Sequence, residues 1–191
     1  MKEFTRALLV LLVMTMLTGL AYPFVVTKLC QLCFPAQVSG SLLVAGSTVV
    51  GSALVGQKFT RPGYFHGRPS ASDYDASNSG GSNFGPSNAK YLEEVGQRAR
   101  QARQLNGLDV GAPVPADLVL ASASGLDPHI SLDGAIIQVP RVARVRKLSE
   151  AQVRETVDKL AETPFLGLTG QKIVNIVQLN LALDALVTVN R

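Results

Sequence analysis

Residues 38–55 read VSGSLLVAGSTVVGSALV, eighteen positions without an ionisable side chain. Their reading decides the architecture. As a helix they are nearly long enough to cross a bilayer; as strands they open the sheet structure of a folded unit. Glycines at 40, 46, 51 and 56 and the small polar clusters Ser39–Ser41 and Gly46–Thr48 weaken a helix. Two runs rich in β-branched and aliphatic residues flank "AGS", where Gly46 supplies the positive φ that a tight turn needs. The stretch predicts a hairpin.

Working outward toward the N-terminus, Ala7–Val26 (ALLVLLVMTMLTGLAYPFVV) is 20 residues without a side chain charged at neutral pH. At 1.5 Å per residue that is about 30 Å, the thickness of a hydrocarbon core. The competing reading is a cleaved signal peptide with Lys2 and Arg6 as its charged start and Gly19 and Ala21 before the cut. An apolar run continuing through Pro23–Val26 exceeds the usual length of such a core. Leu29 before Cys30 also removes a lipoprotein cleavage site. Lys2, Arg6 and the amino terminus precede the span, and only Lys28 follows it before Lys58. The bias of positive charge to the cytoplasmic side predicts a short cytoplasmic tail over 1–6, a transmembrane helix over 7–28 and an extracytoplasmic domain over 29–191.

The whole chain has 191 residues, 47% apolar and 17% charged, with a formal net charge of +4. That bounds it to one ordinary domain plus an anchor, short of the roughly 25% charge of a typical soluble domain. Cys30 and Cys33 form a C-x-x-C, but there is no second cysteine pair and His66 and His129 are isolated in sequence. Beside Leu29, Leu32 and Phe34 they read as small apolar packing residues, not as a metal or redox site.

Beyond the hairpin the pattern is mixed. AKYLEEVGQRARQARQLNG (89–107) predicts a basic helix ending at Asn106 and Gly107. Within the connector that follows, ADLVLA predicts a short strand. Either Asp127, followed by Pro128, or Ser131 starts the next helix, which Pro140 must kink or divide. Ser149 and Gln152 form a capping box, with Leu148 and Val153 as its hydrophobic staple. KIVNIVQLNLALDALV starts as a strand and ends as a helix. The fold class is therefore α+β: one N-terminal transmembrane helix followed by a small mixed domain.

Chemical motifs are thin. Ser124, Asp127 and His129 crowd into ASASGLDPHIS and suggest a membrane-anchored or secreted serine hydrolase, but no G-x-S-x-G elbow is present. DYDASNSGG starts like a calcium loop, yet its sixth position is Asn78 and its twelfth Phe84. LSEAQ (148–152) resembles the LSGGQ signature of ATP-binding-cassette proteins without its glycines. That leaves Ser149 and Gln152 as candidate nucleotide contacts which the capping box already explains. The basic run RVARVRK (141–147) reads as a solvated helix face or subunit contact, with no nucleic-acid partner implied.

Of residues 67–88 (GRPSASDYDASNSGGSNFGPSN), 15 of 22 are Ser, Gly, Asn or Pro, the composition of a slack linker. Tyr64, Phe65, Tyr74 and Phe84 nevertheless recur through and just before it, and Pro69 and Pro86 stiffen it. The residues by themselves leave two readings open, a slack linker or an ordered contact loop whose glycines supply backbone conformations that side chains forbid.

In order along the chain stand FPAQVSGSLL, GSALVGQKF, GYFHGRPSA, SGGSNFGPSN, PVPADLVLASASGLDPHIS, QVPRVARVRKLS and VNIVQLNLALDAL. Together they resemble the C-subunit family of the bacterial Kdp complex, an ATP-driven high-affinity potassium importer. The resemblance implies a non-catalytic accessory subunit in the cytoplasmic membrane, beside a channel-like potassium-translocating subunit and a P-type ATPase subunit. It further implies assembly of that complex and a catalytic-chaperone role that raises the ATP affinity of the ATPase subunit, so that any ATP is bound through that partner. The loop lies in the most recognisable part of the pattern, so the resemblance implies that it is ordered in the complex, with Tyr74, Gly80, Gly81, Asn83 and Phe84 as its candidate partner contacts.

Overall fold

The structure, a computed structural model, describes residues 1–163 and 170–189, with side chains through 186. It divides into two compact units, Met1–Leu42 and the chain from Leu43 onward.

The first unit is built on a helix of 32 residues, Lys2–Cys33, long and apolar enough to cross a membrane and with none of its residues buried. That helix consists of α1 (Lys2–Met16), one π turn (Leu17–Ala21) and α2 (Tyr22–Cys33). The π turn has a local cause. Pro23 lacks an N–H and its ring crowds the carbonyl four residues back, so the turn before it widens and the Tyr22 N–H bonds the Leu17 carbonyl, five residues back. A one-turn helix α3 (Pro35–Val38) follows.

The hairpin predicted for 38–55 is present. Strands β1 (Leu42–Ala45) and β2 (Thr48–Ser52) form a two-stranded sheet, and Gly46 takes φ 63° in the turn. Helix α4 (Ala89–Asn106) starts at Asn88, whose side chain accepts from the Tyr91 N–H at 3.2 Å, and ends at Gly107 with φ 67°. The strand predicted in ADLVLA does not form: Ala116–Leu118 is a single 3₁₀ turn. Asp117 explains why. Its carboxylate accepts both the backbone N–H and, at 3.1 Å, the hydroxyl of Ser131. That tethers the segment to the start of the next helix and leaves it no strand partner.

Strands β3 (His129–Ser131), β4 (Ala161–Glu162) and β5 (Ile173–Asn175) make an antiparallel sheet in the order β3–β5–β4, with Ile130 opposite Val174 and Val174 opposite Ala161. Of the two candidate helix starts, Ser131 is the one used, its hydroxyl accepting from the Gly134 N–H at 2.9 Å. Asp127 instead forms an Asx turn into β3, accepting from the His129 N–H at 3.0 Å. Pro140 divides the helix into α5 (Leu132–Ile136) and α6 (Val139–Arg146). Helix α7 (Glu150–Leu160) carries the predicted capping box, and α8 (Ile176–Val189) runs directly out of β5. The core gathers Ile130, Val142, Val153, Val157, Val174, Leu179 and Leu183 around one residue from the long irregular region, Phe65, which is completely buried.

Candidate functional site

Phe65 sits in the segment GYFHG (63–67), which has no secondary structure of its own and yet enters the core. A buried backbone must find hydrogen-bond partners, and here side-chain amides provide them. The Phe65 N–H donates to Asn180 Oδ1 at 2.9 Å, and its carbonyl accepts from Asn180 Nδ2 at 3.0 Å. One residue on, the His66 N–H donates to Gln138 Oε1 at 2.8 Å and its carbonyl accepts from Gln138 Nε2 at 3.1 Å. Two buried amides thus do for this segment what a neighbouring strand does in a sheet. Arg141, only 2% exposed, completes the clamp with bonds to the Pro62 carbonyl, to the Tyr64 carbonyl at 2.9 Å, to Asn106 Oδ1 at 2.9 Å and to Gln138 Oε1 at 2.7 Å. The predicted solvated face over 141–147 is thereby corrected at two positions. Arg141 is buried, and Arg146 pairs with Asp184 at 2.8 Å and lies over the Tyr64 ring; Arg144 is exposed.

From this clamp the Ser/Gly/Asn loop runs as a strap along residues 120–127. The Ser122 N–H donates to the Pro69 carbonyl at 3.2 Å, Ser70 Oγ to the Gly125 carbonyl at 2.7 Å, and the Gly80 N–H and Ser79 Oγ both to the Ser124 carbonyl at 2.9 Å. Arg68 pairs with Asp127 at 3.1 Å. Asp73 and Tyr74 both take positive φ, 54° and 62°, an arrangement costly for side chains with a Cβ. Tyr74 is held there by its N–H bond to Ser70 Oγ at 2.9 Å and its hydroxyl bond to the Arg68 carbonyl at 2.6 Å. Burial, with Asp127 adding to it, pushes its phenol up to about 12. Burial alone would raise the Asp127 carboxyl, but hydrogen bonds from His129 and Arg68 outweigh it and hold it below the usual range. Asn83 also has positive φ, 54°, which asparagine tolerates. Phe84 packs against Tyr91 of α4, ring centroids 6.1 Å apart.

The glycines behave differently from the expectation. Neither Gly80 nor Gly81 has positive φ; the left-handed glycine against the strap is Gly125, at φ 69°, where a Cβ would also meet the Gly80 carbonyl at 2.8 Å. Nothing lies within 4 Å of a Cβ at Gly80, whereas one at Gly81 would stand 3.0 Å from the Ala123 carbonyl oxygen. Gly81→Val is therefore expected to destabilise the folded unit by about 1–3 kcal/mol, and Gly80→Val to unfold like the parent. Thermal denaturation of both variants separates them, and equal midpoints would mean the strap does not press on residue 123.

Between the strap, the clamp and α4 lies a cleft of about 720 Å³. Lys58, Arg68 and Arg98 line it beside the amides of Gln101, Gln104 and Gln138, with Phe59, Leu105 and Leu118 as apolar wall. His66 also faces it, and burial together with the nearby Arg141 charge keeps that imidazole below its ordinary value.

The remaining sequence candidates lie elsewhere. Ser149 and Gln152 are bonded to each other across the start of α7, the Gln152 N–H to Ser149 Oγ at 3.2 Å and the Ser149 N–H to Gln152 Oε1 at 3.0 Å, and neither lines the cleft. The hydrolase trio is not assembled. Asp127 Oδ1 stands 3.7 Å from His129 Nδ1, but Ser124 Oγ accepts from the Leu126 N–H at 3.1 Å, and His129 Nε2, the atom that would serve the serine, faces Asn175 Nδ2 at 3.5 Å.

A membrane-length apolar helix joined to a small α+β unit built around a clamped irregular segment defines a membrane-anchored protein with no assembled catalytic trio among the described residues. The family model for the c chain of the K⁺-transporting ATPase (KdpC) matches residues 4–185, and the chain belongs to that family. A potassium-transporting ATPase KdpC subunit of Polaromonas naphthalenivorans is 53% identical over 194 residues, covering 100% of this chain and 98% of that protein. Proteins of the same name from Rhodopseudomonas palustris and Caldanaerobacter subterraneus are 46% and 47% identical, over 97% and 95% of this chain and 98% and 94% of theirs.

Proposed function

We propose that the chain is the accessory subunit of an ATP-driven potassium importer in the cytoplasmic membrane, held there by one span over residues 7–28 within the apolar helix. Its tail over 1–6 is cytoplasmic and its domain over 29–191 extracytoplasmic. It stabilises the assembly of the potassium-translocating and ATPase subunits, and the strap, through Tyr74, Gly80, Gly81, Asn83 and Phe84, carries contacts to them. The observation that carries this reading is full-length family membership joined to a helix with no buried residue. It performs no bond-making of its own. Because an outside domain cannot touch cytoplasmic ATP, the chaperone effect on ATP affinity is a coupling transmitted through the membrane subunits and is reciprocal in binding free energy. Ser149 and Gln152 are kept as nucleotide contacts only if that topology is reversed.

Affinity purification of the chain from membranes is expected to bring two much larger subunits with it, and deletion of the chain to abolish growth at limiting potassium. Reporter fusions after Val55 and at Arg191 should both read as extracytoplasmic. A cytoplasmic signal at Arg191 refutes the single-span topology, and purification of the chain alone refutes the accessory role.

A further inference from the structure

Each cation lining the cleft beneath the strap has a carboxylate partner, and the unmatched positive charge lies just behind its wall. Lys58 is matched by Asp73 at 2.6 Å, Arg68 by Asp127 at 3.1 Å and Arg98 by Glu94 at 3.0 Å. Arg141 has no such match: among the described residues every bond it makes goes to a neutral oxygen, and two of its partners, Asn106 and Gln138, line the cleft. A buried guanidinium without a carboxylate is expensive, and its field extends into the cavity beside it. Independently, the Nε–H of Arg68, itself a cleft residue, is shielded from solvent and has no acceptor among the described residues. An unmet buried donor on a charged group costs more than a neutral one and marks a place for an acceptor. The walls around these groups are Phe59, Leu105 and Leu118, and the volume falls within the range of small-molecule sites.

We propose that this cleft binds a small organic anion, a carboxylate or phosphate group on an apolar body, with the anionic oxygens on Arg68 and Lys58 and the apolar body against Phe59, Leu105 and Leu118. An inorganic ion alone would satisfy the donors and leave the apolar wall unused. The inference rests on the cleft and is independent of the role of the chain in the importer.

The test is the thermal midpoint of the detergent-solubilised full chain, titrated at constant ionic strength with hexyl phosphate, hexanoate, hexanol and inorganic phosphate. A saturable rise with hexyl phosphate or hexanoate, and none with hexanol, is expected. Arg68→Gln should weaken the apparent affinity about tenfold or more, the size of one charge-assisted hydrogen bond. Because that change also removes one of the partners of Asp127, Lys58→Gln, at an exposed position, provides a second arm and should weaken it measurably in a well-folded chain. Arg144→Gln, an exposed arginine off the cleft, should titrate like the parent. The proposal is overturned if hexanol shifts the midpoint as much as the anions do, if inorganic phosphate matches hexyl phosphate, or if Arg144→Gln weakens binding as much as Lys58→Gln.

Discussion

Phe65→Ala is expected to be among the most damaging single changes in the folded unit, lowering its stability by about 3–5 kcal/mol. The ring is completely buried at the centre of the core and is contributed by a segment without secondary structure. Its removal therefore leaves a cavity and also releases the anchor that starts the strap. For a unit of this size the loss corresponds to a fall in Tm of roughly 6–20 °C. Phe65→Leu, which keeps most of the volume, should cost far less. Calorimetry of the purified chain decides it: a drop under about 1 kcal/mol for the alanine variant would show that the segment is not held in the core.

The second large effect is expected from a change that preserves shape. Asn180→Leu keeps the side-chain volume close to its original value but removes both partners of the Phe65 backbone, whose N–H and carbonyl are bonded at 2.9 and 3.0 Å. Each buried group left unpaired costs about 1–3 kcal/mol, so the pair should cost about 2–6 kcal/mol, a large share of the total stability of any domain. Urea unfolding should show a lower midpoint with an unchanged m-value, the signature of lost stability without lost compactness. An unchanged midpoint would mean that water takes over both bonds and that the amide clamp is incidental.

What could be read in the sequence was what is local in the chain. The hairpin at 42–52 was legible because its turn glycine and flanking strands are adjacent. The same holds for the Asn106–Gly107 helix end, the capping box of Ser149 and Gln152, and the division of a helix at Pro140. The amide clamp was not legible, because Gln138 and Asn180 bond residues 72 and 115 positions away and carry no composition signal of their own. Arg141 was misread for the same reason. In RVARVRK it looks like its exposed neighbour Arg144, and only the distant carbonyls of Pro62 and Tyr64 distinguish them. Tyr74 was noticed as an aromatic in a polar loop, but the paired positive φ at 73 and 74 is invisible in residue types. Gly125 could have been found from the Ser-Gly in ASASGLDP, a turn signal passed over in favour of the hydrolase residues around it.

The π turn at Leu17–Ala21 adds one residue to the helical count of the apolar helix. One extra residue rotates everything beyond it by about 100° relative to an uninterrupted helix. A side-chain ridge followed at three- and four-residue steps through Lys2–Met16 consequently does not continue onto the same side through Tyr22–Cys33. The two halves present differently phased faces to whatever surrounds them, so one span can touch different neighbours at its two depths. In a residue-by-residue crosslinking scan along it, the periodicity would slip by one position at the turn.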